Sequence, residues 1–426
     1  MIDTRTVDAL RERRLGPEHK SVPPSAWGLT VDEFLGTAPT LADFQTPVVT
    51  LDRARLTSNI AVMADWAAAA GVDLAPHGKT TMAPALWREQ LVAGSWAITL
   101  ATPWQVQLAR AFGVQRIMLA NALVDPGALR WISAELDDHP EFDFVCWADS
   151  EETVVRMAEV LGSPRRPVNV VVELGGPHGR TGARTVDAAV AVARRVANTP
   201  SLALAGVGGY EGALAHDRTT DGLAAVARYL DAVADLHRTL VDQDLYAGPA
   251  VVTAGGSAYP DLVVRHLAGL TGTAGVPTRV VLRSGAYLVH DDGFYADISP
   301  LIESRVGAAH LASAMHGWAR VVSRPEPELA LLDAGKRDVP FDEGLPTPQR
   351  IDTADVPAEH HISAVNDQHA FLRMPSAGPD HAPVGSVVRL GLSHPCTAFD
   401  KWRLLPVVDD ADGANPRVVD LIHTFF

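Results

Sequence analysis

Short apolar runs alternate with helix-length amphipathic segments from residue 47 to residue 287, and this alternation predicts most of the fold. The runs are PVVTLD (47–52), VDLAPHGK (72–79), WAITLAT (96–102), RIMLAN (116–121), FDFVCWAD (142–149), VNVVVEL (168–174), LALAGVGGY (202–210), AVVTAGG (250–256) and RVVLRSGAY (279–287). Near-continuous apolar character over such short spans suits parallel strands buried on both faces. Between them lie ALWREQLVAG, PWQVQLARAFG, TVDAAVAVARRVANT and TDGLAAVARYLDAVADLHRTLVDQ, whose apolar residues recur three and four positions apart. Eight β-α units fit an α/β fold of the (β/α)8 TIM-barrel type, with the 47–52 strand left over; an open doubly wound sheet is the alternative this pattern leaves.

The pattern changes after about residue 290. SRPEPELALLDAGKRDVPFDEGLPTPQRIDTADVPAEHH and RMPSAGPDHAPVGSVVRLGLSHPC are rich in Pro, Gly and Asp and carry short β-prone pieces without a long helical period. A second, smaller all-β domain is expected there. The scheme is therefore an N-terminal extension (1–45) available to pack on the β domain, a barrel (46–290) and a β domain (291–426). The leftover 47–52 strand has no partner among the eight and could join strands from the other chain end.

Composition narrows the function. The 426 residues are 47% hydrophobic and 20% charged, as in a globular protein, and 36 basic against 51 acidic residues give a formal net charge of −15. Such a balance argues against nucleic acid, where affinity comes largely from neutralising phosphates. Cys146 and Cys396 are too few for a disulfide framework, the N-terminus lacks the apolar core of a signal peptide, and no apolar run approaches a bilayer's span. A cytoplasmic protein with no membrane partner is expected.

Three stretches carry chemistry. In LAPHGKTTMAP (74–84), Lys79 sits where a strand ends, the place where barrel enzymes gather reactive groups. A lone lysine at a loop start is ordinarily a surface charge, yet one that loses its proton through partial burial can form a Schiff base with a carbonyl. His77, two residues earlier, shares its face if the strand continues. In TAGGSAYP (253–260), the N–H groups of Gly255 and Gly256 and the Ser257 hydroxyl could cradle a phosphate ahead of a helix, although GGS is often only a turn. His394 and Cys396 in HPC form an H-x-C pair; on an extended segment both side chains face one way, and imidazole with thiolate suits Zn²⁺.

PHGKT, TAGGSAYP, RSGAY (283–287), NDQH (366–369) and HPC (394–396), in that order, resemble the D-serine dehydratase and D-threonine aldolase family of pyridoxal-phosphate (PLP) enzymes with an alanine-racemase-like barrel. The likeness spans residues 45–402. It implies a lyase acting on 3-hydroxy-D-amino acids, usually a homodimer, with Lys79 carrying PLP and acting as catalytic base. It also implies cofactor contacts from His77, Arg180, Tyr210, Gly255, Gly256, Ser257 and Tyr287, and zinc on His394 and Cys396. His369 is a candidate further ligand or proton-handling group. The aldolase branch typically carries H-x-D where this chain has H-x-C, so Cys396 favours dehydration of a substrate such as D-serine to a 2-oxo acid and ammonia. KTTM replaces the KTHK of better-known members, which alters the groups after Lys79. A retro-aldol cleavage and, more distantly, a non-catalytic PLP-binding protein are the rival expectations.

Overall fold

The computed structural model describes residues 1–177, 179–307, 309–375 and 381–426. The chain divides into two compact units, one formed by Met1–Asp3, Met63–Lys79 and Trp87–Gly285, the other by Thr4–Val62, Thr80–Leu86 and Ala286–Phe426. Strand β1 (Val48–Asp52) lies in the second unit, so the division differs from the expected 46–290 barrel: residues 46–62 group with the β-rich part.

In the first unit the strands are β2 (Asp73–Leu74), β3 (Ile98–Leu100), β4 (Arg116–Ala122), β5 (Asp143–Ala148), β6 (Val168–Glu173), β7 (Leu202–Gly208), β8 (Ala250–Ala254) and β9 (Thr278–Leu282). All pair in parallel, in the order β2-β9-β8-β7-β6-β5-β4-β3. A parallel bridge between His77 and Thr99 joins the two ends of that path, which makes the sheet a barrel and not an open one. The closing seam is short because Pro76 has no N–H to donate; its carbonyl accepts from Thr99 N at 2.9 Å, and Leu74 O accepts from Trp96 N at 2.7 Å.

Five of the strands, β3 to β7, lead into capped helices at the same rim. Thr102, Asp125, Ser150, Thr185 and Thr219 cap the following helices through their side-chain oxygens, and Pro103 and Pro126 stand in the first turns where a missing N–H is harmless. The carboxyl ends of the strands therefore face a common set of loops. Met118, Val145, Trp147 and Val171 fill part of the barrel interior.

The second unit holds β10 (Met315–Glu326), β11 (Leu329–Leu332), β12 (Thr347–Ile351), β13 (Ala354–Asp355), β14 (His361–Val365), β15 (Ala370–Arg373), β16 (Val387–Gly391), β17 (Leu404–Val408) and β18 (Val418–His423). Its main path runs β13-β12-β16-β10-β1-β17-β18, with β11, β15 and β14 branching from β10. β1 pairs antiparallel with β10 and parallel with β17, so strands from both chain ends share this sheet. Leu15, Val31, Phe34 and Phe44 from the N-terminal segment pack with Val48, Trp318, Leu404 and Val408 in one core cluster. Among the described residues no helix is long and apolar enough to cross a membrane.

Candidate active site

β2 ends at Leu74, the chain stays extended through His77, and Lys79 then falls in a 3-10 turn, Gly78–Thr80. His77 and Lys79 are therefore not alternate residues of one continuous strand, as the sequence suggested. The turn is fixed by its glycine: a Cβ on Gly78 would lie 2.7 Å from Ile98 Cγ2 and 2.8 Å from Trp87 Nε1, and that indole N–H donates to Gly78 O at 3.0 Å. Lys79 is half-buried, and among the described residues its amine makes no hydrogen bond, ion pair or ring contact. The other lysines are engaged: Lys20 with Asp338, Lys401 with Asp400 and Lys336 over the Phe341 ring. His77 is held well below its ordinary pKa by burial and by the charges of Lys79, Arg283 and Arg180, and its buried Nδ1 has no partner.

Two neighbouring rim loops bring Arg180 and Tyr210 together, the guanidinium carbon standing 4.7 Å from the ring centroid. Both line a small recess with Glu173 and Thr181. Thr181 Oγ1 donates to Glu173 at 2.8 Å, and burial raises the Glu173 pKa.

The β8 loop departs from expectation. Gly255, at φ +109°, makes a turn that other residues rarely adopt, and a Cβ on Gly256 would lie 2.7 Å from the Tyr210 ring. Their N–H groups, expected to meet a phosphate, donate instead to the two carboxylate oxygens of Glu211 at 2.8 Å each. An internal anion thus occupies the two glycine donors, leaving Ser257 as the expected phosphate contact in this triplet. Behind the loop lies Arg283, 1% exposed, which donates to Thr253 Oγ1 and Gly209 O at 2.6 Å each and stands over the Trp147 ring. Burial draws its pKa down to about 10, and its Nε has no partner. The Arg283 carbonyl accepts from His77 N at 3.3 Å, so one buried arginine ties the ends of β7, β8 and β9 to the lysine loop.

These features fit PLP: an uncommitted lysine amine, orphaned buried nitrogens on His77 and Arg283, and Ser257 at the end of a close-packed glycine turn. Tyr287 is 3% exposed in a 3-10 turn, Ala286–Leu288, of the second unit.

In the second unit, HPC is not extended. His394 is left-handed (φ 45°, ψ 80°), Pro395 opens the short helix Pro395–Phe399, and Cys396 lies in its first turn. The pair still meets: a hydrogen bond with Cys396, followed by Asp342, raises the His394 pKa to about 9. His394 Nδ1 donates to Asp342 Oδ2 at 2.5 Å, while Thr397 Oγ1 donates to Asp342 Oδ1 at 2.7 Å. Nδ1 is thereby committed and Nε2 remains the ring nitrogen for a ligand, the arrangement in which a carboxylate orients a metal-binding histidine. Cys396 Sγ donates to Thr80 Oγ1 at 3.5 Å. This donor set fits a borderline-soft metal. His369 does not join it: it is exposed in the turn between β14 and β15, its carbonyl engaged by Asn366 N, and no group of three or more His, Cys, Asp or Glu gathers for a metal among the described residues. That hairpin joins the sheet through β11, whereas His394 follows β16.

The sequence reading missed Glu211, Arg283, Asp342 and Thr80. Two stood beside chosen residues, Glu211 after Tyr210 and Thr80 after Lys79, but only burial and partners reveal their work.

Residues 314–408 match the family described as "Putative serine dehydratase domain". The chain is 26% identical over 373 residues to a D-threonine aldolase of Arthrobacter sp, covering 87% of this chain and 90% of that protein. It is 24% identical over 340 residues to a 3-hydroxy-D-aspartate aldolase of Paracoccus denitrificans (strain Pd 1222), covering 78% and 83%. Among solved structures, the D-threo-3-hydroxyaspartate dehydratase from Delftia sp. HT23 superposes with a TM-score of 0.72 at 19% identity, covering 91% of this chain and 99% of that one. Two further solved structures of a D-threo-3-hydroxyaspartate dehydratase replace a histidine, and a cysteine two positions further on, by alanine, the cysteine variant in a metal-free form. An alanine-racemase-like protein from Idiomarina loihiensis gives a TM-score of 0.70 at 18% identity, covering 89% and 96%. The fold is therefore alanine-racemase-like, a parallel β/α barrel with a separate all-β domain.

Proposed function

For a chain related to the D-threonine and 3-hydroxy-D-aspartate aldolases, we propose a PLP- and metal-dependent lyase that converts a 3-hydroxy-D-amino acid, such as D-serine, to a 2-oxo acid and ammonia. The observation that carries this reading is the Cys396–Thr80 hydrogen bond. Thr80 directly follows Lys79, so the thiol suited to a metal is anchored on the residue next to the amine suited to the cofactor.

Lys79 would hold PLP, which when bound supplies an electron sink that acidifies the substrate Cα–H. His394 and Cys396 would hold zinc, whose Lewis acidity turns a β-hydroxyl into a better leaving group. The remaining work belongs to side chains. Lys79 Nζ, which makes no hydrogen bond or ion pair among the described residues, would be the group to accept the Cα proton. His77, neutral because of burial and its cationic neighbours, is a weak base and would not compete with Lys79 as the proton acceptor. Arg180, over Tyr210, holds positive charge at the rim; beside a bound cofactor it would disfavour protonation of the ring nitrogen. Asp342 holds the His394 ring in place, and Thr80 holds Cys396.

Elimination is supported by the H-x-C pair, which matches the histidine and cysteine spacing replaced in the dehydratase variants. Retro-aldol cleavage is the second reading, supported by the names of the curated relatives. D-Threonine separates the two. Purified protein supplied with PLP and zinc is expected to release 2-oxobutanoate and ammonia; glycine and acetaldehyde would overturn elimination in favour of the aldolase reading.

A further inference from the structure

Glu211 is fully buried, and a carboxylate in such a place is costly unless each oxygen is matched. Here both oxygens are matched by consecutive backbone N–H groups, Gly255 and Gly256, at 2.8 Å. Arg283 contributes a compensating positive charge. The same turn is tied from its other side, where Ser284 Oγ donates to Gly256 O at 3.1 Å. Gly209, two residues before Glu211, is itself fixed: Arg283 binds its carbonyl, and it packs so closely against Tyr229 that a Cβ would lie 1.7 Å from the hydroxyl. The carboxylate is thus a rigid fixture of the β7 end that reaches across to shape the β8 loop.

We propose that Glu211 is the positioning residue for the cofactor's phosphate: it sets the Gly255–Gly256 turn so that Ser257 and the backbone after it face the anion. The inference rests on the PLP reading above. It inverts the simplest view of the loop, in which the two glycine N–H groups bind the phosphate and Glu211 would be a competing anion.

The two views predict opposite outcomes for Glu211→Gln. An amide presents N–H₂ to one of the two N–H donors, so one contact becomes repulsive and the turn relaxes. Hydrogen bonds to a charged partner are strong enough that the Kd for PLP, measured by absorbance and fluorescence titration of the apo-protein, should rise about tenfold. Pyridoxal, which lacks the phosphate, should change by less than about twofold. Ser284→Ala, which loosens the turn from its other side and leaves the buried carboxylate intact, should weaken PLP severalfold with the same selectivity. It also serves as the variant to use if Glu211→Gln does not fold by circular dichroism. Equal losses for PLP and pyridoxal would reduce Glu211 to a structural role, and unchanged or tighter PLP binding in both variants would overturn the proposal. Failure of the wild-type protein to bind PLP would instead overturn the cofactor reading itself.

Discussion

Asp342 makes two short contacts, one to His394 and one to Thr397, and neither role is visible in the sequence PFDEG. It lies far from HPC along the chain, and an acid in a Pro- and Gly-rich loop reads as solvated. Glu211 and Arg283 escaped notice for the complementary reason: charged residues at strand ends are usually exposed, and only the closed barrel makes them buried. Lys79, His394 and Cys396 stand out in the sequence only through the ordered motifs PHGKT and HPC, since a lone lysine or an H-x-C pair reads by itself as structural. At this scale, Asp342→Asn is expected to weaken zinc binding about 10- to 100-fold, as outer carboxylates commonly do, and Cys396→Ala to abolish stoichiometric zinc, both read by metal analysis after dialysis. Full zinc occupancy in Cys396→Ala would remove this pair as the metal site.

All eight barrel runs in the sequence become strands or strand ends, and the four quoted amphipathic segments become helices at Pro84–Val92, Pro103–Ala111, Val186–Ala197 and Thr220–Asp242. Periodicity worked because both faces of each strand and one face of each helix are buried. It failed at element ends. The 72–79 run forms only Asp73–Leu74 as a strand because Pro76 interrupts the ladder, and HPC turns helical because Pro395 favours a first helical turn. Close approaches between elements were also invisible. Gly209→Ala would drive a methyl group into Tyr229 Oη and to 2.4 Å from Leu174 O, where Tyr229 now donates. A loss of about 3 kcal/mol or more is expected by urea denaturation. Gly248→Ala, with nothing within 4 Å of the new Cβ, should stay within about 0.5 kcal/mol. Equal stabilities for the two variants would contradict the packing described at the β7 end.

Across the whole molecule, buried histidines set the response to acid. Burial lowers the pKa of His237, His290 and His423 to about 4 and that of His316 to about 3. The unfolded chain takes up these protons near pH 6.5 while the fold excludes them, so stability is present above that pH and is lost as pH falls toward 4. Asp291, raised to about 6 by burial, acts in the opposite sense. His237→Asn isolates one contribution: its urea midpoint should fall less between pH 7 and pH 5 than that of the wild type. An identical fall in both proteins would show that His237 is not held neutral by the fold.

If Lys79 is the residue that reacts with the cofactor, borohydride reduction of the PLP-loaded protein followed by peptide mass mapping will locate the cofactor on it. A single pyridoxyl-phosphate adduct on the peptide containing Lys79, absent in Lys79→Ala, is the predicted result. An adduct on Lys20, Lys336 or Lys401 with Lys79 unmodified, or no adduct on protein that has bound PLP, would contradict it.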